Sequence, residues 1–444
     1  MKAAGLAMLA LLSGCANFSP DGGFGSVESA VRSRIGQEAK WVRSADDANS
    51  VRARVKELLA QPLSAEAAAQ VALLNNPGLQ ASYAELGIAE ADLVQASRWN
   101  GPRLSFARLR RGDQTEYERS VFLDLLGLVT IPLATRAEEK RFEAAKTRAA
   151  GEALGVALEA RKVWFAAVAA QESARYMEQV KEAAEAGAEL ARRMAAVGNW
   201  SRLNQAREQA FYAEATAQLA RARHASLAAR EHVTRLMGLW GEDTAYRLPD
   251  RLPELPRAAR EAGDLEVRAL AERLDVQAAR RGAESLADSL GLTRVTRYLD
   301  LLELGLHHNT ESPRPAQRGW ELELRIPIFD FGGARTARAE HAYTQAVNRA
   351  AEAAIQARAE VREAYSAYRT AYDLAKHYRD EVVPLRKKIS EEVLLRYNGM
   401  LMSVFELLAD SRDQIAAVNA YIESLRGFWI AESDLQAALT GGMK

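Results

Sequence analysis

One cysteine in 444 residues, Cys15, excludes an intrachain disulfide, so the fold must be held by packing alone. Net charge is missing too: 59 basic side chains balance 59 acidic ones, and no overall field draws the chain to nucleic acid or to an anionic surface. Aromatic residues make up only 7%, and most of the 12 prolines fall between helical blocks. With Ala, Glu, Arg and Leu dominant, this is the composition of long amphipathic helices. No Ser-His-Asp grouping, phosphate-cradling glycine loop or Cys/His cluster occurs, so the sequence offers no catalytic, cofactor or metal site and does not read as an enzyme. The opening apolar run, Ala3 to Leu12 behind Met1-Lys2, is too short to span a membrane; with small residues following at Ser13-Gly14, it reads as a secretory signal over 1–14. A lone thiol in the oxidising compartment beyond would be a liability unless used.

What is abundant is helical periodicity. Stepping by three and four from Tyr343 through Val347, Ala350, Ala354, Ala357, Val361, Ala364, Tyr368, Ala371, Ala375, Tyr378, Val382 and Leu385 to Ile389 meets only apolar residues, an unbroken heptad seam. The spacing predicts one helix from about Arg335 to Tyr397, roughly 95 Å long, with Pro384 as its only disturbance. No globular domain contains such a helix. Alanine at nearly half of the stops lets neighbours approach closely, as staves of a helical cylinder do.

Read in order, the chain writes one unit twice. Phe18 to Gln61 is polar and mixed, with Gly22, Gly23 and Gly25 predicting an irregular, flexible tether. A helix is expected over Ser64–Ser97, broken near Asn76-Pro77. Extended structure begins at Arg103, turns at Arg111-Gly112-Asp113, and alternates from Glu118 to Pro132. A long helix follows from Thr135 to Val197, Gly198-Asn199 breaks it, and a shorter helix returns from Ser201 to Met237. Beyond the proline-rich stretch Gly238–Pro256 the same order recurs. Arg148-Ala149-Ala150 matches Arg349-Ala350-Ala351, Arg161 matches Arg362, Ala174 matches Ala375 and Gly198 matches Gly399, all at an offset of 201.

In the second strand pair, Trp320, Leu322, Leu324, Ile326 and Ile328 alternate with Glu321, Glu323 and Arg325; the partner, about Val295 to Leu306, sets Leu302, Leu304 and Leu306 against Glu303. Such alternation suits strands crossing lipid with their polar side to water. A soluble sheet with one face on a core alternates identically, and pattern alone leaves both open. Length goes further: the return and entry helices sum to roughly 105 Å, near one long helix, so each chain supplies four staves. Its four strands cannot close a barrel, whose smallest membrane form has about eight. Several copies must share one, and the count favours three or more, since eight strands fill their own interior.

Several stretches together, in this order, resemble the outer-membrane efflux protein family, the TolC-like ducts of tripartite pumps. They are Leu12-Ser13-Gly14-Cys15, similar to a bacterial lipobox; the duplicated halves; Ile326-Pro327-Ile328-Phe329-Asp330-Phe331-Gly332-Gly333 before the long helix; and Arg396-Tyr397-Asn398-Gly399 followed by Ser403-Val404-Phe405-Glu406-Leu407-Leu408. The first half departs from this pattern, passing from Pro132-Leu133 straight into helix. The resemblance implies a mainly α fold in which long antiparallel coiled-coil helices form an α-barrel, joined to a transmembrane β-barrel of four strands per protomer. It implies a homotrimer in outer-membrane lipid with its helices in the periplasm, a periplasmic adaptor and a proton-driven inner-membrane transporter as partners, no cofactor, and acylation of Cys15. Ala16 after the cysteine favours outer-membrane sorting. The divisions expected are 1–14 signal peptide, 15–62 lipid-anchored tether and equatorial segment, 63–238 first repeat, 239–264 linker, 265–440 second repeat and 441–444 tail. A periplasmic coiled-coil lipoprotein without a pore is the alternative.

Within this reading the helical tips Val197-Gly198-Asn199-Trp200 and Tyr397-Asn398-Gly399-Met400, with Leu401 and Met402, are candidate adaptor contacts. Glu406 and Asp410, four apart, are candidates for an acidic periplasmic gate. Asp124, Glu303, Glu321, Glu323 and Arg325 are the candidate pore-facing strand residues. His307-His308 is expected in the loop of the second strand pair, a poor metal site without a third ligand.

Overall fold

The computed structural model describes residues 17–312 and 314–442, so the signal segment and Cys15 lie outside the described residues. Two compact units share the chain.

The first unit comprises Ser82–Ala149, Leu274–Ile355 and the described part of Met1–Val27. It holds one antiparallel sheet, β1 (Arg103–Arg111), β2 (Gln114–Asp124), β3 (Leu301–Glu311) and β4 (Gln317–Arg325), in that spatial order. Cross-strand partners share a face. Leu104, Val121, Leu306 and Trp320 form one row, and Leu123, Leu304 and Leu322 the next. The other face carries Arg103, Phe122, Gly305 and Glu321 in one row and Asp124, Glu303 and Glu323 in another. The apolar face is bare, with Phe106 74% and Trp320 73% exposed.

Two boundaries differ from expectation. β2 ends at Asp124, and the apolar run Leu125 to Ile131, read as strand, is already helix α5 (Leu125–Ala196). A contiguous apolar run serves either structure; the cap decides, because the Asp124 carboxylate accepts the Gly127 N–H at 2.7 Å. Likewise α8 (Leu274–Val295) occupies the start of the expected partner strand, which begins only at Leu301 and therefore takes in His307 and His308. Below the sheet α8 is bonded to α5 by Ser285 Oγ to the Ala137 carbonyl at 2.9 Å and by Arg136–Asp288 at 3.4 Å.

The second unit comprises Glu28–Ala81, Ala150–Arg273 and Gln356–Lys444. Its core gathers the aromatics. Phe165 stacks on Trp429 at 5.0 Å, Phe428 meets Tyr368, Tyr372 and Trp429, and Trp164 donates to the Leu63 carbonyl at 2.8 Å. The proline-rich stretch is a strap across this core. Leu248, Leu252 and Leu255 are buried, and its carbonyls at Pro249, Pro253 and Pro256 accept from Gln171, Trp429 and Tyr372.

The segment expected to be an irregular tether is instead two helices, α1 (Gly25–Ile35) and α2 (Ala45–Leu59). The pairs Val27/Val31 and Val51/Val55, each four residues apart, are all buried, and Ser44 caps α2. Between these helices, Gln70 bonds both the N–H and C=O of Glu38, while Gln80 bonds Val42 N–H and Lys40 C=O. The entry helix breaks at Asn76 into α3 (Ala65–Asn75) and α4 (Pro77–Ala96), as expected. The remaining helices are α6 (Arg202–Leu236), α7 (Leu265–Glu272), α9 (Gly333–His377), α10 (Val383–Asn398) and α11 (Val404–Thr440). No described helix is long and apolar enough to cross a membrane.

Pro384 disturbs the second long helix in a definite way. A π turn, Tyr378–Val382, joins α9 to α10 and puts Pro384 in the first turn of α10, where its missing N–H matters least. The π turn holds one extra residue. Before it, the buried Ala174 and Ala375 are 201 apart; after it, the buried Ala191 and Val393, and the N-caps Ser201 and Ser403, are 202 apart. Deleting Glu381 should therefore regularise the helix and leave the thermal unfolding midpoint and helical ellipticity of detergent-solubilised protein unchanged. Deleting Ala364 should abolish folding, because it turns every later residue by about 100°. Loss of folding in the Glu381 deletion would show that the extra residue is structurally required.

Candidate channel wall and coupling tips

The sheet brings Asp124, Glu303, Glu321, Glu323 and Arg325 onto one polar face. Their tasks differ. Asp124 is committed to capping α5, and its carbonyl accepts the Trp99 indole N–H at 2.8 Å. Glu303 is paired with Arg103 at 2.5 Å, whose guanidinium lies 4.3 Å over the Phe122 ring. Glu323 stands across from Glu303, and Arg325 across from Leu301. Contrary to the loop placement, His307 is in mid-strand on this polar face, 2.8 Å from Ser120, while His308 projects from the opposite face. Side chains of opposite sign, set on one face of a sheet whose other face is apolar, make a wettable wall.

The tips are two helix ends of one design. At the first, Gly198 has φ 78° and donates to the Ala195 carbonyl while Asn199 donates to that of Met194, a Schellman closure with Gly198 in the left-handed position. At the second, Met400 donates to Tyr397 and Leu401 to Arg396, so the left-handed residue is Met400 with φ 60°, not Gly399. This corrects the matching of Gly198 with Gly399: past the π turn Gly198 is equivalent to Met400. Val197, Asn199, Asn398, Gly399, Met400 and Leu401 are exposed, Met400 at 93%, whereas Trp200, Tyr397 and Met402 are half-buried.

The two candidate gate acids part company. Glu406 is exposed and closes a capping box at the start of α11, accepting from Ser403 N–H at 2.8 Å; that backbone bond holds its carboxyl below the usual range. Asp410 is buried, and its Oδ2 has no hydrogen-bond partner. Sequence reasoning missed the equivalent acid of the first repeat, Glu208, also buried and bound to Arg412 at 2.8 Å. Arg412 in turn lies 4.4 Å over Phe211. The offset of 202 would have found Glu208 from Asp410.

A non-glycine residue held left-handed costs roughly 1 kcal/mol. Met400→Gly is accordingly expected to stabilise the protein by about that amount, seen as later unfolding in denaturant; an earlier midpoint would show that the methionine side chain has compensating contacts.

Comparison with known proteins agrees with this geometry. Residues 265–389 match the family model for outer membrane efflux proteins. The chain is 27% identical over 278 residues to the cobalt-zinc-cadmium resistance protein CzcC of Cupriavidus metallidurans, an alignment covering 61% of this chain and 64% of that relative's length. Its fold is that of solved outer membrane channels. The CmeC channel of Campylobacter jejuni superposes with a TM-score of 0.71 at 17% identity, covering 92% of this chain and 90% of that one. The open state of the Neisseria gonorrhoeae MtrE channel gives 0.71 at 18% identity, covering 86% and 89%. The match to the efflux-protein model thus lies within residues 265–389, while the likeness in fold to solved outer membrane channels extends across nearly the whole chain.

Proposed function

We propose that the chain is one protomer of a passive exit duct in the bacterial outer membrane, the last component of a tripartite efflux system. One observation carries the reading: a four-stranded sheet with an exposed apolar face, a charged opposite face, and edge strands β1 and β4 each paired on one side only. In lipid every backbone N–H and C=O must be paired, so the edges require strands from other copies. Three copies give a twelve-strand barrel wide enough for a bore, with Glu303, Glu321, Glu323 and Arg325 on its wall and Trp320 and Leu322 toward lipid. The exposed Ile355, Leu385 and Leu395 of the second long helix support helix packing between copies. A periplasmic lipoprotein without a pore would leave the apolar strand face in water, which counts against it.

In this reading Cys15 is acylated and anchors the chain, the helices stand in the periplasm, and the two tips dock an adaptor that couples the duct to a proton-driven inner-membrane transporter. Glu406 and Asp410 contribute to a gate at the periplasmic mouth. The kinship with a cobalt, zinc and cadmium resistance protein supports divalent transition-metal cations as the cargo.

Purified trimer should conduct ions across a planar bilayer. Leu322→Arg should fail to insert, since a cation on the lipid face costs about 2–4 kcal/mol at mid-bilayer, while Leu322→Val should insert and conduct normally. A monomer without conductance would refute the duct. Gly198→Glu should leave trimer and conductance intact while abolishing metal efflux in cells; undiminished efflux would remove the first tip from the adaptor interface.

A further inference from the structure

On the polar face of β3, His307 stands opposite Gly319 of β4, and Glu321 of β4 stands opposite Gly305 of β3. The two glycines leave the diagonal between imidazole and carboxylate clear of other side chains. A Cβ at Gly305 would lie 2.7 Å from Glu321 Cγ and 3.0 Å from both His307 Nε2 and Phe122 Cε1, so no other residue fits there without moving the pair. The imidazole is held on two sides. Ser120 Oγ lies 2.8 Å from Nδ1, and the Phe122 ring meets it edge-on with centroids 5.7 Å apart.

In the tautomer whose Nδ1–H donates to Ser120, the imidazole lone pair is on Nε2. That nitrogen makes no hydrogen bond, and Glu321 Oε2 is 3.3 Å away. Two lone-pair donors at this separation repel unless a proton or a metal cation lies between them. A divalent metal takes imidazole nitrogen and carboxylate oxygen at about 2.0–2.2 Å each, which spans such a gap. A hydroxyl engaging the far ring nitrogen is the outer contact that orients metal-ligating histidines.

We propose that His307 and Glu321 form a two-ligand stopping place for borderline divalent cations such as Zn²⁺, Co²⁺ and Cd²⁺, with water completing the coordination. The proposal rests on the duct reading and names a cargo contact within it. No group of three His, Cys, Asp or Glu side chains able to hold a metal occurs among the described residues. Two ligands give a weak site, as a conduit needs: an ion must bind well enough to enter and loosely enough to leave. Imidazole sets its preference toward zinc-like ions over Mg²⁺, which favours oxygen alone.

The test is calorimetric titration of the detergent-solubilised protein with Cd²⁺. Wild type and His308→Gln, altered on the other face, should bind about one Cd²⁺ per chain at this step. His307→Gln and Glu321→Gln should each lose it, and Mg²⁺ should give no corresponding heat. Absence of the step in wild type, or its survival in His307→Gln, overturns the site. In bilayers Cd²⁺ should briefly interrupt wild-type current but not that of His307→Gln. Normal conductance without Cd²⁺ binding would sink the site and leave the duct; Cd²⁺ binding without conductance would do the reverse.

Discussion

A strand at the edge of a sheet carries a row of backbone donors and acceptors with nothing to bond. β1 and β4 both end the sheet in this state, and nothing in the sheet's order turns back to cover either one. Natural edges exposed to water are usually blunted with charge, proline or a covering loop. Here the charges of both edge strands leave one face to large exposed apolar side chains, Leu104 and Phe106 on β1 and Trp320, Leu322 and Leu324 on β4. In the proposed duct, a surface that refuses water and an edge that demands pairing are satisfied together, by lipid outside and like strands on either side. Duplication then has a physical use: each half contributes a hairpin, and hairpins add to a barrel in even numbers.

The helical part follows a different economy. Alanine dominates the buried positions of α5 between Ala144 and Ala191, so contact is made by backbone proximity rather than by thick side-chain layers. Such a wall is thin, and the second unit packs its aromatics together under the strap at Leu248 to Pro256. The two long helices are used unequally. α5 is buried along most of its seam, whereas the second long helix buries Ala357, Val361, Tyr368 and Ala375 but leaves Val347, Leu385 and Ile389 exposed. Its heptad pattern is complete while its packing within one chain is not, and the proposed trimer would use the difference as surface between copies.

Much of this was legible in the sequence, and the failures share a cause. Periodicity gave the long helices and the alternating strands because 3.6 and 2 are distinguishable over ten residues or more. It could not place the end of β2, where Leu125 to Ile131 is apolar but for Thr130 and one carboxylate, Asp124, decides. It misread residues 18–61 because four valines in pairs are a weak signal beside three glycines; the burial of Val27, Val31, Val51 and Val55 is a tertiary fact. The matching of the tips by glycine failed because the π turn adds a residue that no local pattern announces. His307 was set aside as half of a dipeptide; only register shows that it and His308 belong to different faces and that its neighbour is Glu321.

The same register argument shows where the two halves have diverged in energy. The first tip closes on Gly198, at ease in the left-handed region, and the buried Glu208 above it is neutralised by Arg412. The second closes on Met400, its buried acid Asp410 keeps an oxygen without a donor, and its helix arrives through a π turn followed by proline. The left-handed methionine and the unpaired buried oxygen each cost about 1–3 kcal/mol, and both fall between the end of α10 and the start of α11. A segment carrying such uncompensated costs has the shallower well, so it needs less work to be moved. In the proposed duct, opening of the periplasmic mouth would therefore begin in the second repeat, with the first repeat as the frame it moves against.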